Sequence, residues 1–392
     1  MAAIEKKIKF SPSPFKEIAD FCRFFWRTSK REKEIVFYSE HEGYYPYFEG
    51  IIEKLIGEYK QTLCYVTSDI NDPILQRADS EIKTFYLNKL LAFFMAFVNC
   101  KVFVITMTDL NQFHLKRSIY PAQYVYVFHS LASTHMKFRY GSYDYYDYIL
   151  CVGPYHMKEI RRHEELNNLK PKKLMETGYY RLERIYAAYQ KYASRQGIDP
   201  VGKKTILLAP SWGEGNLLET YGQRLVGILT QAGYKVIVRP HPETLKHFPA
   251  LITSLVAKFG ANSDFTLETS VATDDSLLRA DVLICDYSGV ALEYAFGTER
   301  PVLSIDVPVP AKNPKYRELG IEPLEVSLRS KIGVIVSPDK LDTIPQVISG
   351  LIADTGAYKK RIAELRKENI YAFGHSADIG AKIIIDLVKG IN

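Results

Sequence analysis

The chain has 392 residues, 47% of them hydrophobic and 24% charged, with a formal net charge of +6. That composition excludes a disordered or fibrous chain, and that length exceeds one ordinary core and fits two domains of about 150–200 residues each. Spread over so large a protein the positive balance is mild: it favours anionic ligands or an anionic membrane surface and does not mark a nucleic-acid binder.

From the N-terminus, MAAIEKKIKFSPSPF lacks the apolar stretch of a secretory signal. Pro14–Lys33 sets Phe15, Ile18, Phe21, Cys22, Phe25 and Trp26 beside Lys16, Arg23, Arg27, Lys30 and Arg31. This reads as a helix docked on the first domain with a solvated basic face; a helix lying on anionic lipid is the other reading. Strands are expected at Glu34–Ser39, Thr62–Thr67, Val102–Thr106, Gln123–Phe128 and Tyr148–Val152. Leu87–Val98 is apolar but far short of the ~20 residues that a membrane span needs, so a buried helix is expected there. A second set of strands follows at Thr205–Ala209, Lys235–Arg239, Val282–Cys285, Pro301–Ile305 and Gly333–Val336. Between the strands lie helical patterns such as Tyr47–Tyr59, His156–Leu166, Glu219–Ala232, Leu245–Phe259 and Leu292–Phe296.

Alternation of continuous apolar strands with helices predicts parallel sheets covered on both faces. The fold class is therefore α/β, with two Rossmann-like domains of five strands each facing one another across a cleft. The polar stretch Tyr192–Lys204 separates the two sets. The expected division is 1–195 as an acceptor-side domain, 196–204 as linker and 205–374 as a nucleotide-donor domain, with 375–392 a helix that crosses back to the first. The five cysteines are odd in number and widely spaced, as reduced core residues are, which favours the cytoplasm.

Chemistry is expected where strands of such folds end, since ligands bind at their carboxyl tips. After the first strand, Ser39–Gly50 is polar and aromatic, and Glu40 and Tyr44 are candidates for an acceptor groove. Tyr124–Phe138 runs a strand into His129-Ser130 and then His135. His129 is placed either to act as general base on an acceptor hydroxyl or to serve as a partly buried hydrogen-bonding residue; Ser130 and His135 are acceptor candidates. In the second half, TILLAPSWGEGN brings Ser211 and Trp212 to a strand exit. VIVRPHPETLKHF then follows a buried strand with Arg239 and His241 between prolines that stiffen the loop and aim its side chains. An arginine holds phosphate bidentately, and a histidine donates to a phosphoryl oxygen at little charge penalty. In Leu277–Asp306 a strand ends in Asp286-Tyr287-Ser288-Gly289 and a helix starts, giving an anion site at its free amides, so Asp286, Ser288 and Gly289 join Ser211 and Trp212 as donor-binding candidates; Glu293, one turn on, is placed to reach a ribose hydroxyl.

In this order, His129-Ser130, Ala209-Pro210-Ser211-Trp212, Arg239-Pro240-His241 and Asp286-Tyr287-Ser288-Gly289 resemble the CDP-glycerol glycerophosphotransferases of teichoic-acid and capsule synthesis, from about Tyr124 to Asp306. The resemblance implies the glycosyltransferase-B architecture, His129 as general base, Arg239 and His241 at the donor diphosphate, and Ser288 with its helix start at the donor phosphates. Two departures stand out. That family usually reads Trp-His-Gly-Thr-Pro where this chain has Phe128-His129-Ser130-Leu131-Ala132, and the final serine of its Asp-Tyr-Ser-Ser is Gly289 here.

The expected function is transfer of glycerol phosphate, or a related alditol phosphate, from a CDP-alditol to an acceptor hydroxyl in bacterial surface-polymer synthesis. The alternatives are a CMP-sugar transferase acting with Kdo or sialic acid, a UDP-sugar epimerase, and a non-catalytic nucleotide- or glycan-binding protein. Expected partners are the CDP-alditol or CMP-sugar donor, a glycan or lipid-linked acceptor and, peripherally, the inner membrane face; no nucleic acid is expected. Neither a cofactor nor a metal is expected, there being no Asp-x-Asp in the sequence.

Overall fold

The computed structural model describes residues 14–77, 80–195, 202–213, 215–269 and 273–391, so most of the expected linker, and Glu214 beside Gly215, lie outside the described residues. Seven strands form the first sheet: β1 (Ile35–Ser39), β2 (Leu63–Thr67), β3 (Ile82–Tyr86), β4 (Val102–Ile105), β5 (Gln123–Val127), β6 (Tyr148–Cys151) and β7 (Lys173–Glu176). Six form the second: β8 (Thr205–Leu208), β9 (Lys235–Val238), β10 (Phe265–Leu267), β11 (Val282–Cys285), β12 (Val302–Ile305) and β13 (Gly333–Val336). The orders are β3-β2-β1-β4-β5-β6-β7 and β10-β9-β8-β11-β12-β13, and every pairing is parallel.

Five strands per half is thus corrected to seven and six. The three missed strands, β3, β7 and β10, are all sheet edges. An edge strand has one open side and carries polar residues there, such as Lys83, Thr84, Lys173, Glu176 and Thr266, so it lacks the continuous apolar run of a central strand. Central strands such as Ile35–Ser39, Leu63–Thr67 and Val282–Cys285 are buried throughout.

The helices used below are, in chain order, α1 (Pro14–Cys22), α2 (Tyr45–Gly57), α3 (Leu91–Phe97), α4 (Pro154–Leu166), α5 (Tyr180–Arg195), α6 (Leu217–Gln231), α7 (Pro242–His247), α8 (Pro249–Phe259), α9 (Asp275–Arg279) and α10 (Gly289–Thr298). The single helix expected over Leu245–Phe259 is two, because Pro249 has no amide to continue α7 and instead starts α8. The helix expected to be buried over Leu87–Val98 is the shorter α3, which turns Leu91, Phe94 and Met95 inward and leaves Phe93 and Phe97 exposed. Among the described residues no helix is long and apolar enough to cross a membrane.

The basic N-terminal segment docks on the first sheet through its acids. Asp20 accepts from the Tyr86 amide at 3.0 Å, and Glu17 from the amides of Asn88 and Leu90 at 2.6 and 2.7 Å. Phe24 is fully buried, and its ring lies 4.7 Å from that of Phe94. Phe15 and Trp26 remain 83% and 73% exposed.

In each sheet the chain winds outward through three strands and then returns to the other side of the first, β4 beside β1 and β11 beside β8. Loops that diverge from neighbouring strand tips leave a crevice at such a switch point. The two crevices open into one cleft of about 1170 Å³. The halves are held together by buried polar contacts. Arg181 on α5 reaches Glu293 on α10 (3.2 Å) and Asp274 (2.9 Å), and Arg184 reaches Asp274 and Glu49. The Tyr179 hydroxyl donates to the other oxygen of Glu293 at 2.7 Å. On the far side of the cleft, Ser133 donates through its amide and hydroxyl to Glu325, and the Asn313 side chain donates to the His135 carbonyl. The last helix, Ser376–Val388, packs on α2, and Gly380 admits Ile51 against its backbone.

Removing one partner of a buried, hydrogen-bonded pair leaves the other charge uncompensated and costs about 3–5 kcal/mol. Arg181→Met is therefore expected to lower the urea unfolding free energy by about that amount. A loss below about 1 kcal/mol, the scale of an exposed pair, would show that the interface does not lean on this ion pair.

Candidate active site

The second sheet supplies three strand exits. After β8, the Ser211 amide and hydroxyl both donate to Asp286, at 2.9 and 2.8 Å, so the loop from β8 is tied to the tip of β11. After β9, Arg239 is buried in the cleft wall and its guanidinium donates to the Ser276 hydroxyl at 3.1 Å. His241 occupies the N-cap position of α7, where its Nδ1 accepts from the Glu243 amide at 3.1 Å. An accepting Nδ1 leaves the ring proton on Nε2, so neutral His241 presents a donor. The Trp212 ring stacks on those of His241 and His247, with centroids 5.9 and 6.3 Å apart, and the Lys312 ammonium lies 4.4 Å from the Trp212 centroid. After β11, Ser288 occupies the N-cap position of α10 without capping any amide through its side chain.

The first sheet supplies the opposite wall. His129 follows β5, and its Nδ1 lies 3.1 Å from the Thr106 carbonyl at the tip of β4. A carbonyl can only accept, so Nδ1 carries the proton and Nε2 keeps its lone pair. The two histidines therefore hold opposite tautomers, one presenting an acceptor and the other a donor. Burial pushes His129 down to about 4 and His241 down to about 3, and nearby cations, Lys312 among them, act in the same direction. Tyr44, Tyr47 and Phe138 set their rings edge-on to His129, with centroids 5.3, 6.2 and 5.6 Å away.

The cleft is lined by Glu40, Tyr44, His129 and Ser130 from the first half, and by Ser211, Trp212, Arg239, His241, Ser288, Gly289 and Glu293 from the second. Three expectations are corrected. His135 is buried at the junction of the halves, bonded to the Ile321 carbonyl and beside Glu159, and does not line the cleft. Asp286 is 1% exposed and spends both oxygens on Ser211, so it shapes the loop from behind. Glu293 borders the cleft, but its two oxygens are engaged by Tyr179 and Arg181, which makes it an interface pin and not a free ribose acceptor.

Sequence reasoning missed Lys137 and Lys312, which add positive charge to the cleft. Lys312 had a signal: VPVPAKNP after β12 repeats the proline-rich strand exit of Arg239. Lys137 had none, being brought in by tertiary folding. Acids stand among these cations: desolvation and then the charges of Glu243 and Asp109 push the Glu40 carboxyl up. Cations beside a helix start, with one neutral ring nitrogen free to accept and another to donate, suit a phosphate ester attacked by a hydroxyl. Among the described residues no group of three or more histidine, cysteine, aspartate or glutamate side chains is placed to hold a metal ion.

Comparison with known proteins agrees with this geometry. The family model described as CDP-Glycerol:Poly(glycerophosphate) glycerophosphotransferase matches residues 20–307. Among solved structures, the wall teichoic acid polymerase TagF superposes with a TM-score of 0.63 at 16% identity, covering 96% of this chain and 97% of its own. A variant of that polymerase with CDPG soaked in gives 0.63 at 17%, covering 96% and 94%. The UDP-GlcNAc 2-epimerase of Neisseria meningitidis gives 0.56 at 13%, covering 90% and 99%. These likenesses establish the two-domain glycosyltransferase-B fold. No curated protein sequence matches the chain significantly.

The two depressed histidines set a stability prediction. Between the unfolded value of about 6.5 and the folded values the unfolded chain binds more protons, so stability is fully present above pH 6.5 and declines as pH falls toward 4. The urea midpoint is expected to drop between pH 7 and 5, and to drop less in the His129→Gln, His241→Gln double variant. An equal drop in both proteins would show that these rings are not held neutral by the fold.

Proposed function

The chain belongs to the CDP-glycerol:poly(glycerophosphate) glycerophosphotransferase family, whose reaction moves glycerol phosphate in cell-wall polymer synthesis, and on that premise we propose how its residues divide the work. His129 is the general base. Its Nε2 takes the proton of an acceptor hydroxyl, whose oxygen attacks the β-phosphorus of the CDP-alditol. The bond from that phosphorus to the bridging oxygen breaks, and CMP leaves with the electron pair. The product is a phosphodiester between glycerol and acceptor, and the proton on His129 passes to solvent. Arg239, the Nε2–H of His241, Ser288 and the first amides of α10 offset the charge that grows on the departing phosphate. The observation that carries this reading is the pair of Nδ1 contacts: His129 with the Thr106 carbonyl, the Tyr126 hydroxyl lying 3.3 Å away, and His241 with the Glu243 amide, which leave Nε2 an acceptor on one ring and a donor on the other.

Within this reading residues 1–195 form the acceptor-side domain, 205–374 the donor domain, and 375–392 a helix returning to the first. Trp212 and Ser211 belong to the nucleotide side. Glu40 and Tyr44 face the glycan or lipid-linked acceptor. His129→Ala is expected to reduce CMP release from CDP-glycerol by at least 10²-fold, the usual reach of general-base catalysis, while CDP affinity stays within about threefold. Arg239→Ala is expected to weaken CDP binding itself. Transfer by His129→Ala at the unchanged rate would remove that residue from the mechanism.

We also propose a peripheral contact with the inner membrane face. Phe15, Ile18 and Trp26, and Phe93 and Phe97 on α3, are exposed apolar side chains, and Lys16, Arg27, Lys30, Arg31 and Lys89 of the same segments are exposed too. Apolar rings flanked by cations match anionic headgroups over acyl chains. Cosedimentation with vesicles rich in anionic lipid is expected, and Trp26→Ser with Phe93→Ser should reduce it at least fivefold. Equal sedimentation of the variant would discard this surface.

A further inference from the structure

Gly289 opens α10, the helix whose start faces the cleft. A Cβ built on it would come closer to Ser130 Oγ than the 3.0 Å that real Cβ atoms keep. Its next neighbours, Ser130 Cβ and Ala132 Cβ, lie at 3.7 and 3.8 Å, which is ordinary contact. The space that a side chain at 289 would take is thus filled by a hydroxyl, and that hydroxyl comes from the opposite sheet. Ser130 immediately follows His129, and both line the cleft with Ser288 and Gly289. Ser130 Oγ accepts from the Ala132 amide at 3.2 Å, which engages a lone pair and leaves the hydroxyl proton to donate.

We propose that Ser130 is a phosphate-binding residue and that Gly289 is the positioning residue that admits it. The Ser130 hydroxyl stands at the start of α10 and donates to the same phosphoryl group that the first amides of α10 hold. This rests on the reading that the donor phosphates bind at that helix start. It adds that the acceptor-side sheet grips the donor too, through the residue next to the base. A phosphate held there fixes His129 relative to the reacting centre, because the two residues share one strand exit. The pair is complementary in size, hydroxymethyl against hydrogen.

The test is a set of four variants: Ser130→Ala, Gly289→Ala, the two combined, and the exchange of Ser130→Gly with Gly289→Ser. For each, CDP affinity is measured by calorimetry, and kcat and KM are measured with CDP-glycerol. A hydrogen bond to a charged group predicts a loss of about 10- to 100-fold in kcat/KM for Ser130→Ala. Gly289→Ala should lose a similar factor by rotating the hydroxyl away, and the double alanine variant should be no worse than the weaker single, since both remove one contact. The exchange should return kcat/KM to within about threefold of the parent by restoring one hydroxyl at the same place from the other side. If space alone mattered, the double alanine variant would match the parent, and that result overturns the proposal, as would an undiminished Ser130→Ala or purely additive losses. CDP affinity reads the contact even if the parent fails to turn over CDP-glycerol, a failure that would count against the proposed reaction instead.

Discussion

A buried guanidinium joins the two sheets. Arg181, carried by the helix after the first sheet, lies between Glu293 and Asp274 of the second, and the Tyr179 hydroxyl occupies the remaining oxygen of Glu293. A charge in that position tolerates little displacement, because any separation leaves it desolvated and unpaired. Glu293 sits one turn into α10, so the same contact fixes the start of that helix relative to the first sheet. On the opposite side of the cleft, Ser133 and Glu325 hold the halves through a second buried contact. The distance between His129 on one wall and Arg239, His241 and Ser288 on the other follows from these two pins.

Within that frame the chemistry is set by hydrogen bonds behind the reacting atoms. The Thr106 carbonyl and the Glu243 amide each take the Nδ1 of a histidine, one by accepting and one by donating, and so decide what Nε2 offers to the cleft. Burial keeps both rings neutral, which suits a base awaiting a proton and a donor that meets a phosphate without adding charge. Positive charge is left to Arg239, Lys137 and Lys312, and the acids Glu40, Asp109 and Glu243 line the same cleft.

Family membership fixes the reaction class, and the two departures from the pattern that the sequence resembles fall at the cleft and behind it. Ser130, which follows His129, and Gly289, which follows the serine at the N-cap position of α10, meet across the cleft, so a side chain added at 289 would press on Ser130. Phe128, where the family usually has tryptophan, stacks on buried His156 at 3.7 Å and belongs to the core behind the site. One departure therefore concerns the reacting centre and the other its support.

The sequence by itself determined the fold class, the strand-exit groups His129, Arg239, His241 and Ser288, and the helix start at Gly289. These are local features: a buried strand followed at once by prolines, glycine or a capping serine is legible within a dozen residues. It did not reveal β3, β7 and β10, since an edge strand shares the mixed polarity of a loop. Nor did it reveal that Glu293 would pin the interface, that Asp286 would stand behind Ser211, or that His135 would face away from the cleft. Those assignments belong to the tertiary structure, because the direction of a side chain and the partner it meets depend on residues from distant segments that only the packing of two sheets brings together.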